Sequence, residues 1–193
     1  FQNLHDTSIT VSMQKGDTTP IIVLQKTWDE YLSSLPHHDR HELKRKMKNF
    51  ETQHPDTLYS ISKNPSSDIK ALLALMHRDE KKHLFLTSQM ESFFKKLPKA
   101  FQNNLILFFL RSDNKIAAAL LAFKSGQALL TYNSGFNETE FSGAGLYLKA
   151  KTIQWAIENR YKEYNLLQGS EPYKYDLGGK DFFVYTIEVS INP

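Results

Sequence analysis

Three apolar runs in close succession constrain this chain more than anything else in it. Leu105 to Arg111, Lys115 to Lys124 and Ala128 to Ser134 are separated only by Ser112-Asp113-Asn114 and Ser125-Gly126-Gln127. Runs of this kind joined by short polar turns close as antiparallel hairpins, so the spacing predicts a three-stranded meander. Phe141-Ser142-Gly143-Ala144-Gly145 then leads straight into Leu146, Ala150, Ile153 and Ile157. Those four fall at i, i+4, i+7 and i+11, the one-sided stripe of a long helix.

The flanking sequence alternates helix and strand signals. Ser8 to Met13 reads as a half-buried strand, Gly16 to Pro20 as a break, and Ile21 to Leu24 as a short extended run. Thr27-Trp28-Asp29-Glu30 fits a capping box opening a helix that Pro36 ends. Asp39 to Phe50 is a second helix, with Leu43, Met47 and Phe50 on one face. Leu58 to Ile61 is a short strand, Asp68 opens a helix carrying Ile69, Leu72, Leu73 and Met76, and Ser88 to Glu91 caps another that Pro98 ends. Glu163 to Gln168 is a strand, Gly169 to Gly179 is irregular, and Phe182 to Ile191 is the last strand. The fold class expected is α/β (α+β): a mixed, largely antiparallel sheet flanked by helices. Residues 1–24 are read as N-terminal strands, the tail of a preceding lobe or the opening of this one, and residues 25–193 as the main domain.

Composition removes several chemistries. With no cysteine among 193 residues there is no disulfide, thiolate metal site or cysteine nucleophile. The 24 basic against 21 acidic residues give only +3, too mild to argue for nucleic acid. The longest uninterrupted apolar run, Ile116 to Phe123, is far short of the roughly 20 residues that span a bilayer. A cytoplasmic protein without membrane insertion is expected, and the start at Phe1 suggests a piece of something longer. His37, His38 and His41 cluster, but no third ligand at metal-site spacing accompanies them, so no metal is expected.

The loop at 141–147 holds the first chemical signal. Free backbone N–H groups at a helix N-terminus, with the helix dipole, favour an anion such as phosphate. Gly143 and Gly145 would let a ligand approach the main chain, although an ordinary glycine loop opening a core helix has the same residues. Arg40, Lys44 and Lys48 share one helix face at i, i+4 and i+8. Either they track phosphates or they form a solvated face opposite the apolar stripe.

The meander, then Glu140-x-x-Gly143-x-Gly145 and the long helix, resembles the acyl-CoA pyrophosphate loop of the GNAT N-acyltransferase superfamily. That pattern usually starts with Gln or Arg; here Glu140 stands first, and its carboxylate would oppose a pyrophosphate. Pro20 to Leu35, Arg40 to Lys48 and Leu167-Gln-Gly-Ser-Glu171-Pro-Tyr173-Lys174 to Gly178 resemble, in order and spacing, one GNAT subgroup. It includes cellulose-biosynthesis-type acetyltransferases and Fem-type aminoacyl transferases. The resemblance implies acyl transfer from acetyl-CoA or another acyl-CoA to an amine or hydroxyl, with Ser142, Gly143, Ala144, Gly145 and Leu146 holding the donor. Glu171 would be the base, Tyr173 the acid, and Lys174, Arg40 and Lys44 would bind substrate. Otherwise Glu171 and Lys174 form a structural ion pair with Tyr173 against the core. The acceptor expected is a small molecule or a peptidoglycan or polysaccharide precursor. A tRNA-borne aminoacyl donor and a non-catalytic binding lobe are the alternatives.

Overall fold

The computed structural model describes residues 8–192. The chain opens with β1 (Ser8–Val23), α1 (Trp28–Ser34), α2 (His37–Gln53) and β2 (Leu58–Ile61). It continues with α3 (Pro65–Met76), α4 (Glu80–Phe85), α5 (Ser88–Phe101) and the meander β3 (Leu105–Ser112), β4 (Lys115–Ser125) and β5 (Ala128–Phe136). It closes with α6 (Ala144–Glu158), β6 (Glu163–Asn165), α7 (Pro172–Asp176) and β7 (Lys180–Asn192). Among the described residues, seven strands form one sheet in the order β2-β3-β4-β5-β6-β1-β7. Every pairing is antiparallel except β5 with β6, which is parallel.

The meander strands read as continuous apolar runs because both of their faces are covered. Ile106, Phe108 and Leu110 of β3, with Leu120 and Ala122 of β4, face a core shared with α1, α2 and α6. Leu105, Leu107 and Phe109, with Ala119 and Leu121, face a second core built by α3 and α5. Asp113 and Asn114, at φ 51° and 59°, make the tight turn that joins β3 to β4.

Several boundaries differ from the sequence expectation, each for a local reason. Gly16 to Pro20 does not break β1: the register with β7 shifts between Lys15 and Thr18, so Gly16 and Asp17 are absorbed as a bulge. Residues 1–7 of the expected N-terminal segment lie outside the described residues. Glu30 receives the Lys26 N–H (3.0 Å) while Thr27 caps the Glu30 N–H (3.2 Å), so the capping box is displaced by one residue. The third helix starts at Pro65, with Asn64 rather than Asp68 at its cap. Thr87, not Ser88, caps α5, and that helix runs through Pro98 to Phe101. Phe94 and Leu97 pin α5 into the second core, which tolerates one lost backbone bond. The segment expected to be irregular contains the short helix α7, begun at Pro172.

The strand beside the parallel pairing is fixed by a buried hydrogen bond. Thr152 Oγ1 of α6 donates to the Lys149 carbonyl (2.8 Å), and it meets Tyr164 Oη of β6 at 2.7 Å. Thr152 has one hydroxyl proton, so the Tyr164 hydroxyl is the donor between them. Tyr164→Phe removes that donor and is expected to cost about 1 kcal/mol. Thr152→Val strands the Tyr164 hydroxyl in the core and is expected to cost more, about 1–3 kcal/mol. Urea denaturation of both variants checks the order; equal costs, or the reverse, would contradict this geometry.

Candidate active site

Parallel pairing between β5 and β6 extends over only three residue pairs, Ala128–Glu163, Leu129–Tyr164 and Leu130–Asn165. Thr131 Oγ1 donates to the Asn165 carbonyl (3.1 Å), and beyond that point the strands part. β5 runs on to Phe136 along β4, bent by an unpaired Tyr132 between Thr131 and Asn133. On the other side the chain swings to β1, where the Leu166 N–H donates to the Pro20 carbonyl (2.9 Å) and the Gly169 N–H to the Thr18 carbonyl (3.1 Å). A cleft of about 790 Å³ fills the gap. Thr131 to Ser134 and Phe136 line one wall, Leu166 to Gln168 the other, and Lys46, Asn49, Phe50 and Gln53 of α2 part of the rim.

The glycine loop opens onto this cleft. Gly143 caps α6 at φ 84°, a left-handed conformation, and offers no side-chain cap. A Cβ at Gly145 would stand 2.8 Å from the Phe136 ring, so that glycine serves the close packing of α6 on β5. Ala144 is fully buried beneath the loop. Among the described residues, the N–H groups of Gly145 and Leu146 have no partner. The carboxylate that meets the loop is Glu138, not Glu140. Glu138 Oε1 accepts from Ser142 Oγ (2.8 Å) and from the Gly143 N–H (3.2 Å). Glu140 instead turns to Lys115, to Arg78 (3.7 Å) and to Asn137 Nδ2 (2.9 Å). Lys115 first, then Asn137, hold its carboxyl below the usual range, and its charge is matched away from the cleft.

Across the fork, Glu171, Tyr173 and Lys174 line the same cleft. Lys174 is only 2% exposed. Its ammonium donates to the carbonyls of Leu167 (3.1 Å), Gln168 (2.8 Å) and Gly169 (3.2 Å) and lies 3.0 Å from Glu171 Oε2. The ion pair that was one of two readings of this segment is therefore present. Glu171 nonetheless keeps 57% of its side chain exposed. Burial pushes its carboxyl up, but its own backbone N–H, Lys174 and Lys149 together outweigh that and leave it below the ordinary value. Burial, then Glu171, raises the Tyr173 phenol to about 12, so it stays protonated at neutral pH. Arg40 and Lys44 sit on α2 outside the cleft lining, where Lys46 is the cation that α2 contributes.

Two further lysines face the cleft. Lys149 of α6 is 9% exposed, and its ammonium makes no hydrogen bond or ion pair with any described residue. Its Nζ lies 4.8 Å from the centre of the Tyr173 ring and 5.8 Å from that of Phe136. Burial first, then Lys82, lowers its pKa to about 8. Lys82 of α4 donates to the Ser134 carbonyl (2.6 Å), and burial lowers its pKa too. Lys149 had a signal in the sequence: it falls three residues after Leu146, on the core side of the helix. Lys82 had none, because α4 buries no residue and leaves no periodic pattern.

Among the described residues, no group of three or more His, Asp or Glu is placed to hold a metal, and no helix is long and apolar enough to cross a membrane.

A mixed sheet whose one parallel pairing splays beside a glycine loop and helix defines the GNAT fold class. A family model described as an acetyltransferase (GNAT) domain matches residues 37–175, well over half of the chain, and the chain belongs to that family. No curated protein matches it by sequence. Among solved structures, a conserved protein of unknown function from Bacteroides thetaiotaomicron has a TM-score of 0.69 at 13% identity, over 98% of this chain and 64% of that one. FemX gives 0.70 at 14% identity, over 87% and 60%. L-PGS from Bacillus licheniformis gives 0.61 at 10% identity, over 92% and 61%. At these identities the likeness is one of fold, and the chain spans about three fifths of each of those proteins.

The depressed Lys149 carries a stability prediction. In the unfolded chain its pKa is ordinary, near 10.5, and in the fold it is about 8. At pH 7 the folded protein therefore bears the full penalty of a charged, buried ammonium; the penalty fades between pH 8 and 10.5 and is gone above that. Lys149→Met is expected to stabilise at pH 7 by up to about 3 kcal/mol, with the gain shrinking toward pH 10. Urea melts at the two pH values test this, and a variant destabilised equally at both would contradict it.

Proposed function

We propose that the cleft transfers an acyl group from an activated donor, acetyl-CoA or another acyl-CoA, to an amine or hydroxyl acceptor. The observation that supports this most is convergence: the glycine loop on one side of the fork and Glu171 with Tyr173 on the other open onto one cavity. The β5 edge from Thr131 to Phe136, unpaired on the cleft side, can take hydrogen bonds from the amides of an extended donor arm. The N–H groups of Gly145 and Leu146 fit one end of a pyrophosphate, whereas Glu138 stands where the other end would lie and must swing out. Glu171, ionised at neutral pH, takes the proton as the acceptor's heteroatom attacks the acyl carbonyl. The carbon–sulfur bond breaks, and Tyr173 protonates the departing thiolate. Lys174 holds the Leu167 to Gly169 carbonyls and Glu171 in place, which fixes the base against the wall of the cleft.

A second reading is favoured by Glu138. A loop already occupied by a protein carboxylate suits a donor that places no pyrophosphate there, as an aminoacyl-tRNA-dependent enzyme of the Fem type would. The fold likeness to FemX is in keeping with this.

Thermal shift separates the two. CoA is expected to raise the melting temperature, and Glu138→Gln is expected to tighten CoA binding by about tenfold by removing the like charge. Absence of any shift for both proteins, with salt-sensitive tRNA binding weakened by Lys44→Ala and Lys48→Ala, would move the assignment to the aminoacyl donor. In labelled-acyl transfer to a panel of amines, Glu171→Gln is expected to lower kcat by about 10²–10⁴ with KM for the donor little changed. Unaltered turnover in that variant would remove Glu171 from the mechanism.

A further inference from the structure

The cleft holds more positive charge than its own carboxylates neutralise. Lys46, Lys82, Lys149 and Lys174 line it, against Glu138 and Glu171. Both carboxylates are committed, Glu138 to the glycine loop and Glu171 to Lys174. Lys174 is spent on three carbonyls and Glu171. Lys82 spends one proton on Ser134, and its neighbour Asp79 is engaged at the start of α4, accepting the Lys82 backbone N–H (2.9 Å). Lys149 spends none on any described residue.

Lys149 and Lys82 flank one aromatic ring. Their ammonium nitrogens lie 5.8 Å and 5.1 Å from the centre of Phe136, and Lys82 raises the cost of charging Lys149. Aromatic faces offset part of that cost but accept no strong hydrogen bond. An ammonium on a largely buried side chain, whose donors meet no described protein acceptor and which has a second cation beside it, is costly to keep charged, and an anion entering the cleft would supply the missing negative charge.

We propose that Lys149, assisted by Lys82, is a binding site for an anionic oxygen group, phosphate or carboxylate, carried by the acceptor. The donor's phosphates are assigned above to the free Gly145 and Leu146 amides, so an anion on Lys149 falls to the acceptor, which is then an acidic molecule. Sulfate displaced from the parent protein by CoA would give Lys149 to the donor and overturn this. That assignment to the acceptor rests on the acyl-transfer reading above; the anion site itself does not. The groups that face Lys149 are Lys82 from α4, and Glu171, Tyr173 and Lys174 at α7. Of these, Glu171 is the only counter-charge, and it is already paired. An arriving anion therefore draws a proton onto Lys149 when the pH is near 8.

Isothermal titration with sulfate, a tetrahedral dianion that does not itself titrate, and with acetate, a carboxylate, tests the site on the whole chain. Each is run at pH 8 in two buffers of different ionisation enthalpy. Sulfate binding with net proton uptake is expected, weakened about tenfold or more in Lys149→Met and in Lys82→Met. Preference for sulfate over acetate assigns phosphate as the ligand group, and the reverse assigns carboxylate. Lys149→Met is expected to be at least as stable as the parent at pH 7, and circular dichroism checks that it is folded. Equal anion affinity in the parent and a folded Lys149→Met, binding without proton uptake, or no binding of either anion overturns the proposal. Anion binding through Lys149 in a protein that neither binds CoA nor transfers acyl groups would retain the site and discard the transfer reading. Transfer without anion binding would do the opposite.

Discussion

The parallel pairing of β5 with β6 stops after Leu130 and Asn165, and the rest of the site is arranged around that early stop. Two strands that remained paired would leave no cleft and no free strand edge. The parting is imposed from both sides: Tyr132 bulges out of β5 and packs its ring against the second core, while Leu166 and Gly169 are captured by β1. The Thr152–Tyr164 hydrogen bond holds β6 at the crotch of the fork, so α6 and both walls of the cleft share one anchor. Because those partners are buried and mutually satisfied, the opening is part of the packed fold and does not depend on a ligand to hold it apart.

Charge is distributed around that opening with most of its anions already claimed. Glu140 is drawn off by Lys115 and Arg78, Glu171 by Lys174, and Glu138 by the loop amide and Ser142. What is left over is cationic, and Lys149 among it is nearly buried. The same low-dielectric surroundings that raise the Tyr173 phenol lower the Lys149 ammonium, since burial disfavours whichever form is charged.

Much of this architecture was legible in the sequence because it depends on local pattern. The meander, the two-residue turn at Asp113-Asn114 and the α6 stripe follow from periodicity and turn chemistry, and the order of motifs pointed to the GNAT family. The loop and the Glu171–Lys174 segment were visible as residues, yet their relation was not, because the cleft between them exists only when β5 and β6 part. Glu138 and Glu140 are two residues apart, and nothing local says which of them turns to the loop; Lys115 and Arg78, distant in the chain, decide it. Lys82 was invisible for a similar reason, since its value comes from a contact with Ser134 made across 52 positions. Pro98 and the Gly16 to Pro20 stretch misled in the other direction, where tertiary packing overrode a local breaker.

The wall of the cleft that carries Leu166 to Gly169 hangs from β1, whose other edge is zipped to β7 along nearly its whole length. The first and last strands therefore act as a clasp on a cavity made by the middle of the chain. Beyond its pairing with β6 the clasp is held by backbone pairing more than by burial, for Ile9, Val11, Met13, Val184 and Ile187 are all exposed. The width of the fork is thus set from a distance, by a ribbon that contributes no residue to the lining of the cleft. Loosening that ribbon would slacken the grip on Leu166 and Gly169 before it disturbed either core, and the cleft would lose its shape while the domain around it stayed folded.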